Sequence, residues 1–425
     1  MRPAIPRTVT MVATVLLLGP FHAIPSARAD GMLDPSFGNG GKVTTDFPYA
    51  SQSDHAHSVV VLPDGRAVAA GSVGDVDGHD MGAARYLTSG ALDTTFSGDG
   101  RAIVGGCPSF GAGGGALDAM LEPDGHLVLV GECPGGFDLM VARLTVDGAI
   151  IWTQFTPFPD GVWGAAGVLQ PDGRIIAVGR SEALPFALQA ARYNTDGSLD
   201  SSFGNGGTLT LNLPQSFAAA DAVLQADGKL MIAGTFSNGN FGLVRLLPDG
   251  VLDPSFDGDG VVISAFPGVC RSVVILGDGR IVVGGRQAAN LALARYLPNG
   301  SLDVTFGTGG LATADSGTDE TVAQLVVLPN GKILAAGSTL NGQGNGVDFL
   351  LARFQPDGSL DTSFGSAGFL KTDFNTGSGD ECDAVALAGP DLVLTAGRTT
   401  STFGDFALAR YIASTPVEAL TFDVE

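Results

Sequence analysis

An internal repeat decides what this chain can fold into. The pattern Leu-Asp-x-x-Phe, followed by a glycine-rich turn, begins at Leu33–Phe37 and returns with its Asp at 93, 200, 253, 303 and 361. A degenerate copy, Ile150–Phe155, fills the gap between the second and third of these, and successive copies lie about 50 to 59 residues apart. A second marker, Ala/Val-Arg followed by an aromatic residue or Leu, recurs seven times with its Arg at 85, 143, 192, 245, 295, 353 and 410. A fixed period of this size means one supersecondary unit per copy, each burying its apolar face only against its neighbours.

Within a copy, two short apolar runs flank a turn, as in His57–Leu62, Pro63-Asp64-Gly65 and Arg66–Gly71. Proline presets φ there and glycine accepts positive φ. A third strand follows at Met81–Leu87, and a fourth, more polar one at Arg101–Val104. Lys42–Phe47 and Phe369–Phe374 show the alternation of a half-exposed edge strand. Four antiparallel strands per copy describe a propeller blade. With 63 glycines and 23 prolines in a chain that is 44% hydrophobic, the composition suits many short strands and excludes disorder. The expected fold is an all-β, seven-bladed propeller of four-stranded antiparallel blades, its apolar hairpins lining the hub. The chain opens with a rim strand and ends with three strands lacking one. The N-terminal strand is therefore expected to complete the seventh blade and remove an open edge.

Residues 1–29 read as a secretory leader: basic Arg2 and Arg7, an apolar run from Met11 to Leu18, and Pro25–Ala29 with a small-x-small cleavage pattern. The mature chain would start at Asp30, with the propeller over 30–413 and a tail over 414–425. No run approaches the roughly 20 apolar residues of a spanning helix. The net charge of −22 disfavours nucleic acid and anionic membranes. A secreted, periplasmic or cell-surface monomer binding a glycan, a peptide or a cell-surface component is the expectation.

Leu-Asp-x-x-Phe-Gly-x-x-Gly, Val-Leu-Pro-Asp-Gly-Arg/Lys, Ala-Gly and Leu-Ala-Arg-Tyr together resemble the delta-60 repeat of exported bacterial proteins. Leu302–Gly310, Val327–Lys332, Ala336-Gly337 and Leu351–Phe354 show the pattern. The resemblance implies an exported, propeller-like protein and no particular activity.

Residues that recur once per blade belong to the frame. The Arg of the third strand is expected to pair with the Asp of the following connector, and the Phe to plug the space between blades. Function belongs where copies differ, on the face opposite the Pro-Asp-Gly turns. There the connections Ser72–Asp80, Glu132–Asp138, Ser338–Asp348, Asn375–Cys382 and Arg398–Asp405 vary. Asp54, His55, His57, Asp75, Asp77, His79 and Asp80 gather on the first blade, in a mixture that suits Ca²⁺ or Zn²⁺. Asp315, Asp319, Glu320, Asp380, Glu381 and Asp383 form an acidic group on blades six and seven. Cys107 and Cys133 are candidates for a disulfide, whereas Cys270 and Cys382 have a whole blade between them. No Gly-x-Ser-x-Gly, Cys-x-x-Cys or His-Glu-x-x-His motif occurs. A binding or scaffold module is therefore the first functional reading. A metal-dependent hydrolase or lyase at the channel mouth, with His55 or His57 as base, is the alternative.

Overall fold

The computed structural model describes residues 30–48, 53–75, 78–105, 114–133, 138–340, 346–374, 379–400 and 404–413. The leader and the tail lie outside them. The described chain is a closed propeller of seven antiparallel sheets. Blades 1 to 6 each hold four strands in chain order, and their innermost strands are His55–Val61, Gly115–Leu121, Trp163–Leu169, Phe217–Leu224, Val269–Ile275 and Glu320–Val327. Blade 7 runs outward through Asp380–Leu387, Leu392–Thr399 and Asp405–Ile412. Lys42–Thr45 completes it against that last strand, Lys42 opposite Ala409 and Thr45 opposite Phe406. Met32–Leu33 pairs farther along the same strand. The two ends of the chain thus share one sheet, and the expected clasp is present. No helix among the described residues is long and apolar enough to cross a membrane.

The core is divided into seven apolar clusters, each between two neighbouring blades. The most deeply buried strands are the second and third of each blade, such as Leu127–Glu132 and Leu188–Tyr193. The hub strands are less buried than the sequence suggests, because one side of each faces the central channel. Burial of aliphatic side chains between blades supplies the main driving force, at about 25 cal/mol per Å².

The recurrent charges make the expected frame. Arg85, Arg192, Arg245, Arg295, Arg353 and Arg410 each donate from Nε to the Asp of the adjoining Leu-Asp motif at 2.7–2.9 Å. The other oxygen of that Asp accepts a Ser or Thr hydroxyl two residues on. Each guanidinium also lies 4.5–4.9 Å from the ring centre of the motif's Phe, a cation–π contact. Its Nη1 reaches a backbone carbonyl of the turn in the next blade, or for Arg353 the carbonyl of Ala413 at the end of blade 7. One side chain therefore ties connector, plug and neighbouring blade together. Burial alone would raise these carboxyls, but the hydroxyls and the Arg hold Asp93, Asp253 and Asp361 well below the usual range and Asp303 at about 2. In blade 2, where the motif has degenerated to Ile150–Phe155, the strand Ile150–Pro157 runs straight through the connector position. Glu122, at the preceding turn, takes over and accepts Arg143 Nε at 2.6 Å.

Removing one partner of such a pair strands a buried charge, which typically costs about 3–5 kcal/mol. Asp253→Ala, which leaves the buried Arg245 guanidinium without its carboxylate, is expected to lower unfolding free energy by that amount in urea melts. A loss under about 1 kcal/mol would show that the clamp is ornamental to stability.

Candidate functional site

Each innermost strand carries one β-bulge, at the same place in all seven blades. The register slips between Ala56/Ser58, Ala116/Asp118, Gly164/Ala166, Ala219/Asp221, Cys270/Ser272, Val322/Gln324 and Cys382/Ala384. The extra residues are His57, Leu117, Ala165, Ala220, Arg271, Ala323 and Asp383. A bulge re-aims the side chain it inserts, and here all seven line one axial cavity of about 550 Å³. Opposite each bulge the second strand has glycine, and a Cβ there would sit only 1.8–2.4 Å from a carbonyl oxygen of the bulged strand. Gly71 of blade 1 and Gly397 of blade 7 are the tightest. The Ala-Gly of the repeat was thus a signal for this ring, which the sequence reading missed.

The residue after the bulge laces the hub. Ser58 Oγ accepts Ala119 N–H at 3.1 Å, Asp118 accepts Gly167 N–H at 3.0 Å, and Asp221 accepts Val273 N–H at 2.8 Å. Ser272 and Gln324 do the same for Leu325 and Val385. Blades 3 and 7 have Ala166 and Ala384 at this position and no side chain to offer. Across the seam from blade 7 to blade 1, two bulge residues meet instead. Asp383 Oδ2 lies 3.1 Å from His57 Nδ1 and 2.6 Å from His55 Nε2. The two imidazoles are 4.1 Å apart, and His57 Nε2 is 3.1 Å from Ser72 Oγ. Burial alone would raise the Asp383 carboxyl, but the hydrogen bonds from both histidines hold it well below the usual range. Burial pushes His55 down from its ordinary value, against the pull of Asp383. A second cavity of about 260 Å³, lined by Ser53, His55, His57, Ser72, Leu117 and Arg398 among others, adjoins this cluster.

The other residues singled out from sequence go elsewhere. Asp54 is buried and accepts N–H groups of Phe47 at 2.8 Å and Gly74 at 3.2 Å; burial raises its carboxyl to about 6. Asp380 and Glu320 are also buried and cap loop backbone at Phe374 and Ser316. Asp319 pairs with Arg286 on the surface, and exposed Asp315 closes a turn at Gly317. Glu381 lines the axial cavity and accepts Arg398 at 2.9 Å. Asp80 sits beside Gly105 on the outer half of blade 1. Asp75 and His79 belong to strands whose side chains at those positions are outside the description, as is Asp77 altogether. Of the thirteen acidic and imidazole residues, the structure therefore brings His55, His57, Glu381 and Asp383 together. Cys133 is buried and disulfide-bonded, Cys107 lies outside the described residues, and Cys270 and Cys382 are buried free thiols.

Three groups among the described residues have donor atoms close enough to hold a metal ion: His55/His57/Asp383, Glu122/Asp124/His126 and Asp348/Asp373/Asp380. Only the first faces the axial cavity. Two imidazoles and a carboxylate suit a transition ion better than Ca²⁺, which prefers oxygens.

Five stretches, 62–96, 170–203, 225–256, 276–306 and 328–364, match a family model described as a domain of unknown function (DUF5122) beta-propeller. No curated protein matches. Solved structures that this chain is similar to include a protein of unknown function from Dyadobacter fermentans (13% identity, 88% of this chain and 99% of that one, TM-score 0.44). Another is the polysaccharide lyase Uly1 (10% identity, 89% and 92%, TM-score 0.49). A third is Sqt1 of Chaetomium thermophilum bound to the N-terminus of the ribosomal protein L10 (11% identity, 87% and 100%, TM-score 0.48). At these TM-scores none of the three carries an argument about this chain. The chain is thus a seven-bladed propeller with stretches similar to that uncharacterised family.

Hub chemistry should be visible in the pH dependence of stability. Burial, reinforced by Asp118 and opposed by three donors, raises Asp221 to about 7. From about pH 4, where the unfolded carboxyl ionises, to about pH 7, the native chain retains a proton that the unfolded chain has lost. This contribution is therefore full at low pH and disappears as pH rises through the window. Asp221→Asn is expected to make the fall in Tm between about pH 5 and pH 8 shallower than in the unmodified protein. Equal slopes would contradict this assignment.

Proposed function

We propose that the protein is an exported binding module of the delta-60 type whose ligand enters the axial cavity. The observation that carries this reading is the ring of bulges: it directs one residue per blade at the same space, and those residues are not uniform. Four are small or apolar, while His57, Asp383 and Arg271 are polar. Arg271 is exposed to the cavity from blade 5 and offers a planar donor fork for a carboxylate. His57 and Asp383 stand on blades 1 and 7 and suit hydroxyl or amide groups. The end of an acidic glycan or a peptide carboxylate is the ligand class that fits. Thermal-shift measurements with glucuronate, acetate, glucose and a dipeptide test this. Carboxylate-bearing members are expected to raise Tm, at about 2.7 kcal/mol for a hundredfold excess over Kd, and Arg271→Ala is expected to abolish the shift. No shift with any carboxylate would remove the proposal.

A second reading, a metal-dependent hydrolase or lyase, is favoured by the convergence of His55, His57 and Asp383. His57 fits the ligand role in detail, because its second nitrogen is held by Ser72 in the manner of a ligand's supporting hydrogen bond. A bound ion would act as a Lewis acid at the cavity wall. Calorimetric titration with Zn²⁺ should give one site that His55→Ala weakens by at least tenfold; a flat titration would exclude it.

A further inference from the structure

We propose that Ser72, His57 and Asp383 form a nucleophile–base–acid relay that hydrolyses carboxylic esters of short acyl groups at the wall of the hub. The proposal goes beyond ligand binding but rests on the axial cavity being the ligand's seat. Ser72 Oγ lies 3.1 Å from His57 Nε2, and His57 Nδ1 lies 3.1 Å from Asp383 Oδ2. The tautomer that satisfies both contacts carries its proton on Nδ1, donates it to Asp383 and leaves Nε2 free to accept from Ser72. This is the arrangement that activates a serine, and it is recognised by geometry whatever the fold or chain order.

The repeat makes the arrangement informative. Ser72 follows the glycine opposite the bulge, and the same position holds Thr235 in blade 4 and Ser338 in blade 6. Those hydroxyls accept N–H groups of the next blade's innermost strand, Cys270 at 3.0 Å and Cys382 at 2.9 Å. That is the structural duty of a hydroxyl here. Ser72 instead meets an imidazole that only blade 1 supplies, and the imidazole meets a carboxylate that only blade 7 supplies.

An electrophile is at hand. Arg398 lines the same small cavity, and its Nε is buried with no hydrogen-bond acceptor. Its Nη2 is anchored on Glu381 at 2.9 Å. That Nε–H, buried and without an acceptor, shares the small cavity with the Ser72 hydroxyl and is placed to receive a developing oxyanion. His57 and Leu117 line both cavities. The acyl group therefore occupies the smaller one, of about 260 Å³, and the alcohol part extends into the axial cavity.

In the first half-reaction Ser72 Oγ attacks the ester carbonyl carbon while its proton passes to His57 Nε2. The tetrahedral oxyanion forms against Arg398. The bond to the alcohol oxygen then breaks, and that oxygen takes the proton from His57. In the second half-reaction water attacks the acyl-serine and gives its proton to His57 Nε2. The Oγ–acyl bond then breaks and Ser72 recovers the proton. The sum is ester plus water to acid plus alcohol, and no redox partner or metal is required.

The test treats the purified protein with a fluorophosphonate probe, followed by intact-mass measurement and peptide mapping, and measures p-nitrophenyl acetate hydrolysis. One covalent adduct on Ser72 is expected. Ser72→Ala and His57→Gln should lose the adduct and the turnover at unchanged Tm. Exposed Ser359→Ala should keep both. Asp383→Asn should lower kcat by about 10²–10⁴-fold with little change in KM, since it disturbs the tautomer and not the cavity. EDTA should leave the rate unchanged. No adduct, an adduct on another serine, or labelling that survives His57→Gln would overturn the relay, and so would turnover abolished by EDTA. Labelling needs no carboxylate at Arg271, so failure of the binding reading and failure of the relay are separable.

Discussion

A carbonyl oxygen pressed onto a bare Cα sets the geometry of this propeller. In every blade the innermost strand gains one residue, bends, and pushes its backbone so close to the second strand that only glycine fits opposite. The bend has two effects. It turns the extra side chain into the channel, and it aims the following side chain at the next blade's backbone. A Cβ at Gly71, 1.8 Å from His55 O, would have to displace the strand that carries His57. The wall of the cavity and the lacing of the hub thus rest on the same local constraint.

Acidic residues divide between two duties for a physical reason. The Leu-Asp aspartates sit beneath a guanidinium and a hydroxyl, so their charge is compensated and they remain ionised inside the frame. Asp54, Asp118 and Asp221 have backbone or hydroxyl donors but no cation in hydrogen-bond contact, and burial raises their carboxyls. Asp383 differs from both sets, being charged in the channel with two imidazoles as its partners. That arrangement leaves its carboxylate on the cavity wall.

The ends of the chain share the sheet of blade 7, and the seam from that blade to blade 1 lacks the side-chain lacing of the hub. Ala384 cannot lace the hub there, while Phe47 and Phe406 pack at 5.0 Å and Lys42–Thr45 closes the rim. Closure by outer strands leaves the hub side of this seam free to carry chemistry. His55, His57, Ser72, Asp383 and Arg398 all lie on the two blades that flank it.

Much of the frame was legible in the residues. Two markers counted seven blades, the alternation of Lys42–Phe47 foretold the clasp, and the recurrence of Arg and Asp foretold their pairing, because each is a local pattern repeated at a fixed period. The approach of His55 and His57 on one strand was legible for the same reason. Their meeting with Asp383, 326 residues away in sequence from His57, was legible only as far as the expected ring makes blades 7 and 1 neighbours; the bulges that aim the side chains at each other were not. Nor could spacing separate Asp383 from Asp380: three residues apart on a bulged strand, one faces the channel and the other is buried against Phe374 N–H. The repeat, the blade count and the means of closure follow from periodic burial and turn chemistry, which are written residue by residue. Which acids are caps, which are clamps and which reach the cavity is a matter of tertiary structure, because a one-residue bulge changes the direction of a side chain without changing the composition of its strand.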